Sequence, residues 1–214
     1  MRSKHWAATA AWVLPLFVAF PAAARQAVYF GELSGSSESP PVVSDGSGFG
    51  RVTIDFDRMT MRVEASFSDL AGNVIAAHIH CCTPTPFSGN VGVASQLPSF
   101  AGFPTGVGAG SYDHSFDMTL ESSYSSTFLE DAGDDTSTAF DTLVTGLGAG
   151  RAYLNVHTTA FGSGEVRALL APVPEPASYA LMLVGLGLVG GIARRRRGRP
   201  RGDSGGAGGG PRGG

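Results

Sequence analysis

The chain has 214 residues, 43% hydrophobic and 15% charged, with a formal net charge of −3. That average hides a segregation: residues 25–171 carry 16 acidic and 6 basic side chains, a formal charge of −10, while seven arginines lie from Arg194 onward. An acidic body repels phosphate backbones, which argues against nucleic acid as a partner, and about 147 residues make one domain with a real core rather than two.

Residues 1–24 begin with Arg2 and Lys4, continue through an apolar stretch from Ala7 to Phe20 and end in Ala22-Ala23-Ala24. This is the layout of a secretory signal peptide, with cleavage expected after Ala24. Pro15 inside the apolar stretch argues against a buried structural helix.

The body, residues 25–171, is rich in period-2 alternation. Val52, Ile54 and Phe56 alternate with Arg51, Thr53 and Asp55, and Met61, Val63, Ala65 and Phe67 alternate with Arg62, Glu64 and Ser66. Each is the pattern of a half-buried strand, and Asp57-Arg58 between them predicts a hairpin whose apolar residues form core. Further strands are predicted at 27–34, 73–80, 111–120, 151–157 and 164–170. Only 122–133 and 136–147 read as helices, with Phe128, Leu129, Phe140, Leu143 and Val144 as their apolar positions. Short strands joined by Gly- and Pro-rich connections predict an all-β fold, an antiparallel β-sandwich or barrel of Greek-key type with two short helices.

Chemistry-bearing residues are few. On a strand, His78 and His80 share one face and Ala77 and Ile79 the other; His157 shares parity with Tyr153 and Asn155, opposite Leu154 and Val156. Two readings stand. The imidazoles hydrogen-bond backbone around a turn, or, if the two strands are neighbours, His78, His80 and His157 converge on one Zn or Cu ion. His114 shares parity with Tyr112 and Phe116 and reads as a packed, hydrogen-bonded residue. Cys81 and Cys82 are the only cysteines, and outside the cytoplasm thiols oxidise. A vicinal disulfide is the first expectation; bonds to another chain and thiolate ligation beside the histidines are the alternatives. The acidic cluster Glu130, Asp131, Asp134 and Asp135 lacks the spacing of a calcium loop and reads as a solvated turn. Spacing shows no nucleophile with a positioned base and no phosphate-binding loop, so the chain is not expected to be an enzyme.

The C-terminal end has three parts. Pro174-Glu175-Pro176 precedes an apolar run, 177–193, closed by Arg194, Arg195, Arg196 and Arg197. Seventeen helical residues span ~25 Å, enough for a thin bilayer, and the arginines should stay on the cytoplasmic side. Residues 198–214 are Gly- and Arg-rich and predict a disordered tail; Arg201-Gly202-Asp203 within it reads as coincidence.

Residues 172–197 resemble the PEP-CTERM sorting signal of Gram-negative bacteria. The resemblance implies reading by an exosortase, an inner-membrane-anchored precursor with a transmembrane helix at 177–193, and delivery to the cell surface or outside the cell. Residues 27–170 resemble the CHRD domain of chordin and of bacterial secreted proteins. The likeness is carried by Glu32-Leu33-Ser34-Gly35, Glu38-Ser39-Pro40-Pro41, His78-Ile79-His80, Asn155-Val156-His157-Thr158 and Gly164-Glu165-Val166-Arg167. Cys81-Cys82 departs from the usual glycine after the histidines, Val166 stands for isoleucine, and the stretch from Phe100 to Gly150 is long. The resemblance implies an exported binding or structural module, with an extracellular polysaccharide or surface protein as partner. The alternative is a Zn- or Cu-binding scavenger or metal-dependent redox enzyme built on His78, His80 and His157.

Overall fold

The computed structural model describes residues 25–174, 184–187 and 189. The predicted signal peptide, Glu175, Pro176, Arg194–Arg197 and the tail lie outside the described residues, as does most of the apolar run 177–193. Among the described residues no helix is long and apolar enough to cross a membrane.

The elements are β1 (Gln26–Ser34), β2 (Ser47–Asp55), β3 (Thr60–Ser68), β4 (Val74–Cys81), β5 (Gly110–Asp117), α1 (Ser126–Asp131), α2 (Thr136–Gly148), β6 (Ala152–Thr158), β7 (Val166–Leu169) and β8 (Ala171–Val173). The strands form one antiparallel sheet in the order β4-β6-β7-β1-β2-β3-β5, with β8 also on β1. It curls into a half-barrel, so the all-β, antiparallel expectation holds with a single curved sheet.

The predicted hairpin is β2–β3, with Val52 opposite Val63 and Ile54 opposite Met61, all four fully buried. Strand β2 reaches further back than alternation suggested, because Ser47-Gly48-Phe49-Gly50 carries almost no aliphatic signal yet pairs with Ala65–Ser68. Phe56, expected in the core, lies past the end of β2 and is only partly buried, meeting Phe140 of α2 edge-on at 6.5 Å. The strand predicted at 164–170 is split into β7 and β8 at Leu170. Both halves follow β1, and at Gly31 a β-carbon would sit 2.5 Å from the Leu169 carbonyl oxygen. Only glycine admits that approach.

Both helices begin on side-chain caps: Ser125 accepts from Phe128 N at 3.2 Å, and Asp135 from Thr138 N at 2.7 Å. The acidic cluster therefore contains a helix cap. Helix α1 is shorter than predicted because residues 121–123 form a separate 3-10 turn. Phe128, Leu129, Phe140, Leu143 and Leu147 are buried in the common core, and Val144 is half-buried against it. The stretch from Phe100 to Gly150 contributes core of its own, since Phe100, Phe103, Tyr112 and Phe116 form an aromatic cluster that includes a Phe67–Phe103 stack at 5.6 Å. His114 is exposed beside Tyr112 and Phe116 and makes no side-chain hydrogen bond, so the hydrogen-bonded role expected for it is corrected.

Candidate functional site

Strand β4 lies at one edge of the sheet and pairs with β6, with His78 opposite Asn155, His80 opposite Tyr153 and Ala76 opposite His157. Strand β7 continues the row, placing Arg167 opposite Asn155. Alternation then does the sorting: Ala77, Ile79, Leu154, Val156, Val166 and Ala168 are fully buried on the core side. His78, His80, Tyr153, Asn155, His157 and Arg167 share the other face. On a free-standing sheet that face would meet solvent. Here it is roofed by three loops, which leave His78, His80, Tyr153, Asn155 and Arg167 buried and His157 half-buried.

Residues 91–100 run along the outer edge of β4 and satisfy its backbone. Ala94 N and Ser95 N donate to Ile79 O, Ser95 Oγ accepts from Ile79 N, and Phe100 N donates to Ala77 O. The same segment presents two carbonyls to the imidazoles. His78 Nε2 donates to Pro98 O at 2.8 Å, and His80 Nδ1 donates to Val91 O at 2.9 Å. His157 Nδ1 donates to Gly162 O at 3.1 Å. A carbonyl only accepts, so these contacts fix the tautomer of each neutral ring and leave a lone pair on the other nitrogen.

Those other nitrogens are His78 Nδ1, His80 Nε2 and His157 Nε2. All three are buried without a hydrogen-bond partner in the protein. The rings themselves converge, with centroids 5.2 Å apart for His78–His157, 5.9 Å for His80–His157 and 6.0 Å for His78–His80. One ring nitrogen from each lies within 4.8 Å of the others. The sequence reading required β4 and β6 to be neighbours, and they are.

Burial holds the rings neutral. It pushes His80 down to about 4, with the charges of His157, His78 and Arg167 acting in the same direction against the Val91 hydrogen bond. His78 and His157 are lowered by the same desolvation. A proton is thus disfavoured on all three converging rings.

Around the histidines stands a second tier. Tyr153 stacks on His80 at 4.7 Å, and the Arg167 guanidinium lies 3.9 Å over the opposite face of Tyr153. Arg167 is engaged through all three of its nitrogens: Nε and Nη2 meet Glu38 Oε2 at 3.1 and 2.9 Å, Nη1 donates to Gly89 O and Nη2 to Asn90 Oδ1. Burial pushes the Glu38 carboxyl up while Arg167 and Asn155 oppose that shift. The Asn155 amide is near enough to ease Glu38 ionisation but lacks hydrogen-bond geometry with it. A cavity of about 400 Å³ opens between the loop at 38–42 and the sheet, with His80, Asn155 and Arg167 among its walls.

Glu165 ties the roof down. It accepts from Ser44 Oγ, Ala71 N, Gly72 N and Thr158 Oγ1. Burial pushes its pKa up, but these donors together outweigh that and leave the carboxyl lowered and ionised.

Cys81 follows His80 in β4 and therefore faces the other way, into the core. Its sulfur is beside that of Cys82, and both abut Gly146 of α2, where a β-carbon would overlap the two sulfurs. Neither sulfur joins the histidine cluster.

The sequence reading found the three histidines but not the assembly around them. Asn155, Tyr153 and Arg167 were legible through strand parity once the register was known; Glu38 arrives from a loop 129 residues away and carries no periodic signal.

A family model described as the CHRD domain matches residues 29–170, and one described as the PEP-CTERM protein-sorting motif matches residues 172–197. No curated protein and no solved structure matches the chain. The sorting motif marks an exported protein whose membrane-anchored precursor is processed by an exosortase, as in Gram-negative bacteria. With the CHRD model covering most of its length, the chain belongs to the CHRD-domain family.

Proposed function

We propose that the exported domain holds one Zn or Cu ion between His78, His80 and His157, and serves as a metal-binding module of the cell envelope. The observation that carries this reading is the division of labour within each imidazole. One nitrogen donates to a backbone carbonyl, and the other is buried without a hydrogen-bond partner in rings that converge. A purely structural role accounts for the first set of nitrogens and leaves the second set unexplained. Burying three polar atoms without partners costs ~1–3 kcal/mol each, a cost that a shared cation removes.

The dimensions suit such an ion. Nitrogens within 4.8 Å of one another place a central ion no more than ~2.8 Å from each. Drawing the rings in by less than ~1 Å reaches the ~2.0–2.1 Å bonds of Zn. Three neutral imidazoles favour Zn or Cu over Mg or Ca, which prefer oxygen, and leave a fourth coordination position free. Carbonyl partners on the outer nitrogens match the supporting shell that orients metal-ligating histidines. We read Cys81 and Cys82 as a vicinal disulfide that secures the end of β4 against α2, because strand alternation turns Cys81 away from the ion.

The test is metal content. The full-length chain, stripped with a chelator and reloaded, is expected to retain one Zn or Cu per chain. His80→Ala is expected to retain none while keeping its far-UV circular dichroism. Equal retention by the variant, or none by the parent chain, contradicts the proposal.

A further inference from the structure

Asn155 is 1% exposed, yet neither its Oδ1 nor its Nδ2 has a hydrogen-bond partner in the protein. Its place in the sheet is specific. It lies directly across from His78, and along β6 it sits between Tyr153, the partner of His80, and His157. It is therefore the direct cross-strand neighbour of His78 and the diagonal neighbour of His80, with His157 next on the same face of β6. Cross-strand neighbours in such a sheet have β-carbons ~4.5–5.5 Å apart, so the carboxamide is within reach of anything coordinated between them.

A second buried atom shares this position. Glu38 Oε1 is without a hydrogen-bond partner although Oε2 is taken by Arg167. Both groups crowd Gly164, whose β-carbon would lie 2.5 Å from the Asn155 amide atoms and 2.8 Å from Glu38 Oε1. The backbone at Gly164 has φ +127°, so no side chain is expected to fill the space. The cavity of about 400 Å³ includes Glu38, Asn155 and Gly164 in its lining and also His80. It thus joins His80 to the unsatisfied amide and carboxylate oxygen.

We propose that Asn155 and Glu38 Oε1 form a subsite for the ligand that completes the metal's coordination, and that this ligand is a neutral, hydroxyl-bearing oxygen donor. The inference rests on the metal reading above. Its chemistry follows from the wall atoms. An incoming ligand must give hydrogens to Glu38 Oε1 and Asn155 Oδ1 and accept one from Asn155 Nδ2, while its own oxygen lone pair meets the ion. Anions meet the carboxylate, and Arg167, the nearest cation, is already paired with it. Cations meet the bound metal. Water, with two hydrogens and two lone pairs, satisfies every wall from one oxygen, and a small polyol does so by adding a second hydroxyl. Asn155 is then a positioning residue for that ligand and not a ligand of the metal.

Spectroscopy of the Cu(II)-loaded full-length chain separates the cases. Metal stoichiometry is measured first; a chain that takes up no copper removes the metal reading and this inference with it. In the loaded chain we expect exchangeable-proton couplings from a bound hydroxyl, and Asn155→Leu and Asn155→Ser are expected to change them while altering copper affinity less than threefold. Two variants of different size guard against misfolding of either one. Titration with glycerol tells the sources apart. A saturable spectral shift, weakened at least tenfold by Asn155→Leu, indicates an alcohol ligand, and its absence alongside Asn155-dependent proton couplings indicates water. Copper bound with unchanged spectra in both variants, or azide binding tighter than glycerol and indifferent to Asn155, overturns the subsite and leaves the metal site standing.

Discussion

Tyr153 lies flat against His80, ring centroids 4.7 Å apart and planes inclined by 5°, while the Tyr153 hydroxyl and His80 Nδ1 both approach the Val91 carbonyl. The stack and the shared acceptor fix the rotation of the His80 ring, and so fix where its free Nε2 points. The His80 ring is therefore held by groups outside the imidazole cluster.

Removing that support is expected to weaken metal binding without abolishing it. Tyr153→Ala should lower Zn or Cu affinity by ~10–100-fold, the usual effect of losing an orienting partner, whereas Tyr153→Phe should lower it far less because the stack remains. Competition against a chromophoric chelator measures both. Equal losses would assign the effect to the hydroxyl instead.

The buried pair Arg167–Glu38 gives a stability prediction. Both side chains are almost wholly enclosed and meet at 2.9 Å. Arg167→Leu leaves a buried carboxylate unpaired and is expected to cost ~3–5 kcal/mol in urea unfolding. The double variant Arg167→Leu with Glu38→Leu should recover part of that loss. Additive losses would mean that the pair contributes through packing alone.

Much of this was legible beforehand, and the reasons it stopped where it did are physical. The β2–β3 hairpin, the α2 helix and the facing of His78, His80 and His157 follow from side-chain period, which strand and helix geometry impose locally. Sheet order does not follow from period. Nothing local brings β6 beside β4, or Glu38 over Arg167, and those two juxtapositions turn a polar face into a site. The Ser47–Gly50 extension of β2 was missed because glycines carry no periodic signal, and Phe56 was misjudged because the strand ends one residue before it. The C-terminal span and arginines lie outside the described residues. Their reading rests on the sorting motif.

The core offers a calibration. Phe67 is 2% exposed and stacked on Phe103, so Phe67→Ala should destabilise the fold by ~3–5 kcal/mol. A loss under ~1 kcal/mol would mean that the stretch carrying Phe103 does not pack on β3 in solution.

Gly146 tests the cysteine pair. A β-carbon there would overlap both sulfurs, so Gly146→Ala should cost ~1–3 kcal/mol despite the higher helix propensity of alanine. Intact mass about two units below the reduced value, without thiol labelling at Cys81 or Cys82, is expected for the secreted chain. Two free thiols would reject the vicinal disulfide.

The pH dependence follows from the histidines. In the unfolded chain they titrate near ~6.5, while burial holds His80 down to about 4 and lowers His78 and His157. Between those limits the unfolded state binds more protons, so the metal-free fold should lose stability as pH falls from ~6.5 toward 4. Urea midpoints at pH 7 and pH 5 measure the slope. Replacing all three histidines with alanine should flatten it, and an unchanged slope would place the titrating groups elsewhere.

X-ray absorption on the Zn- or Cu-loaded full-length chain tests directly whether three imidazoles share one ion. Shared coordination predicts three imidazole nitrogens at ~2.0–2.1 Å with one further oxygen, and loss of that shell in His157→Ala. A sulfur shell at ~2.3 Å, or an oxygen-only shell that His157→Ala leaves unchanged, would contradict it.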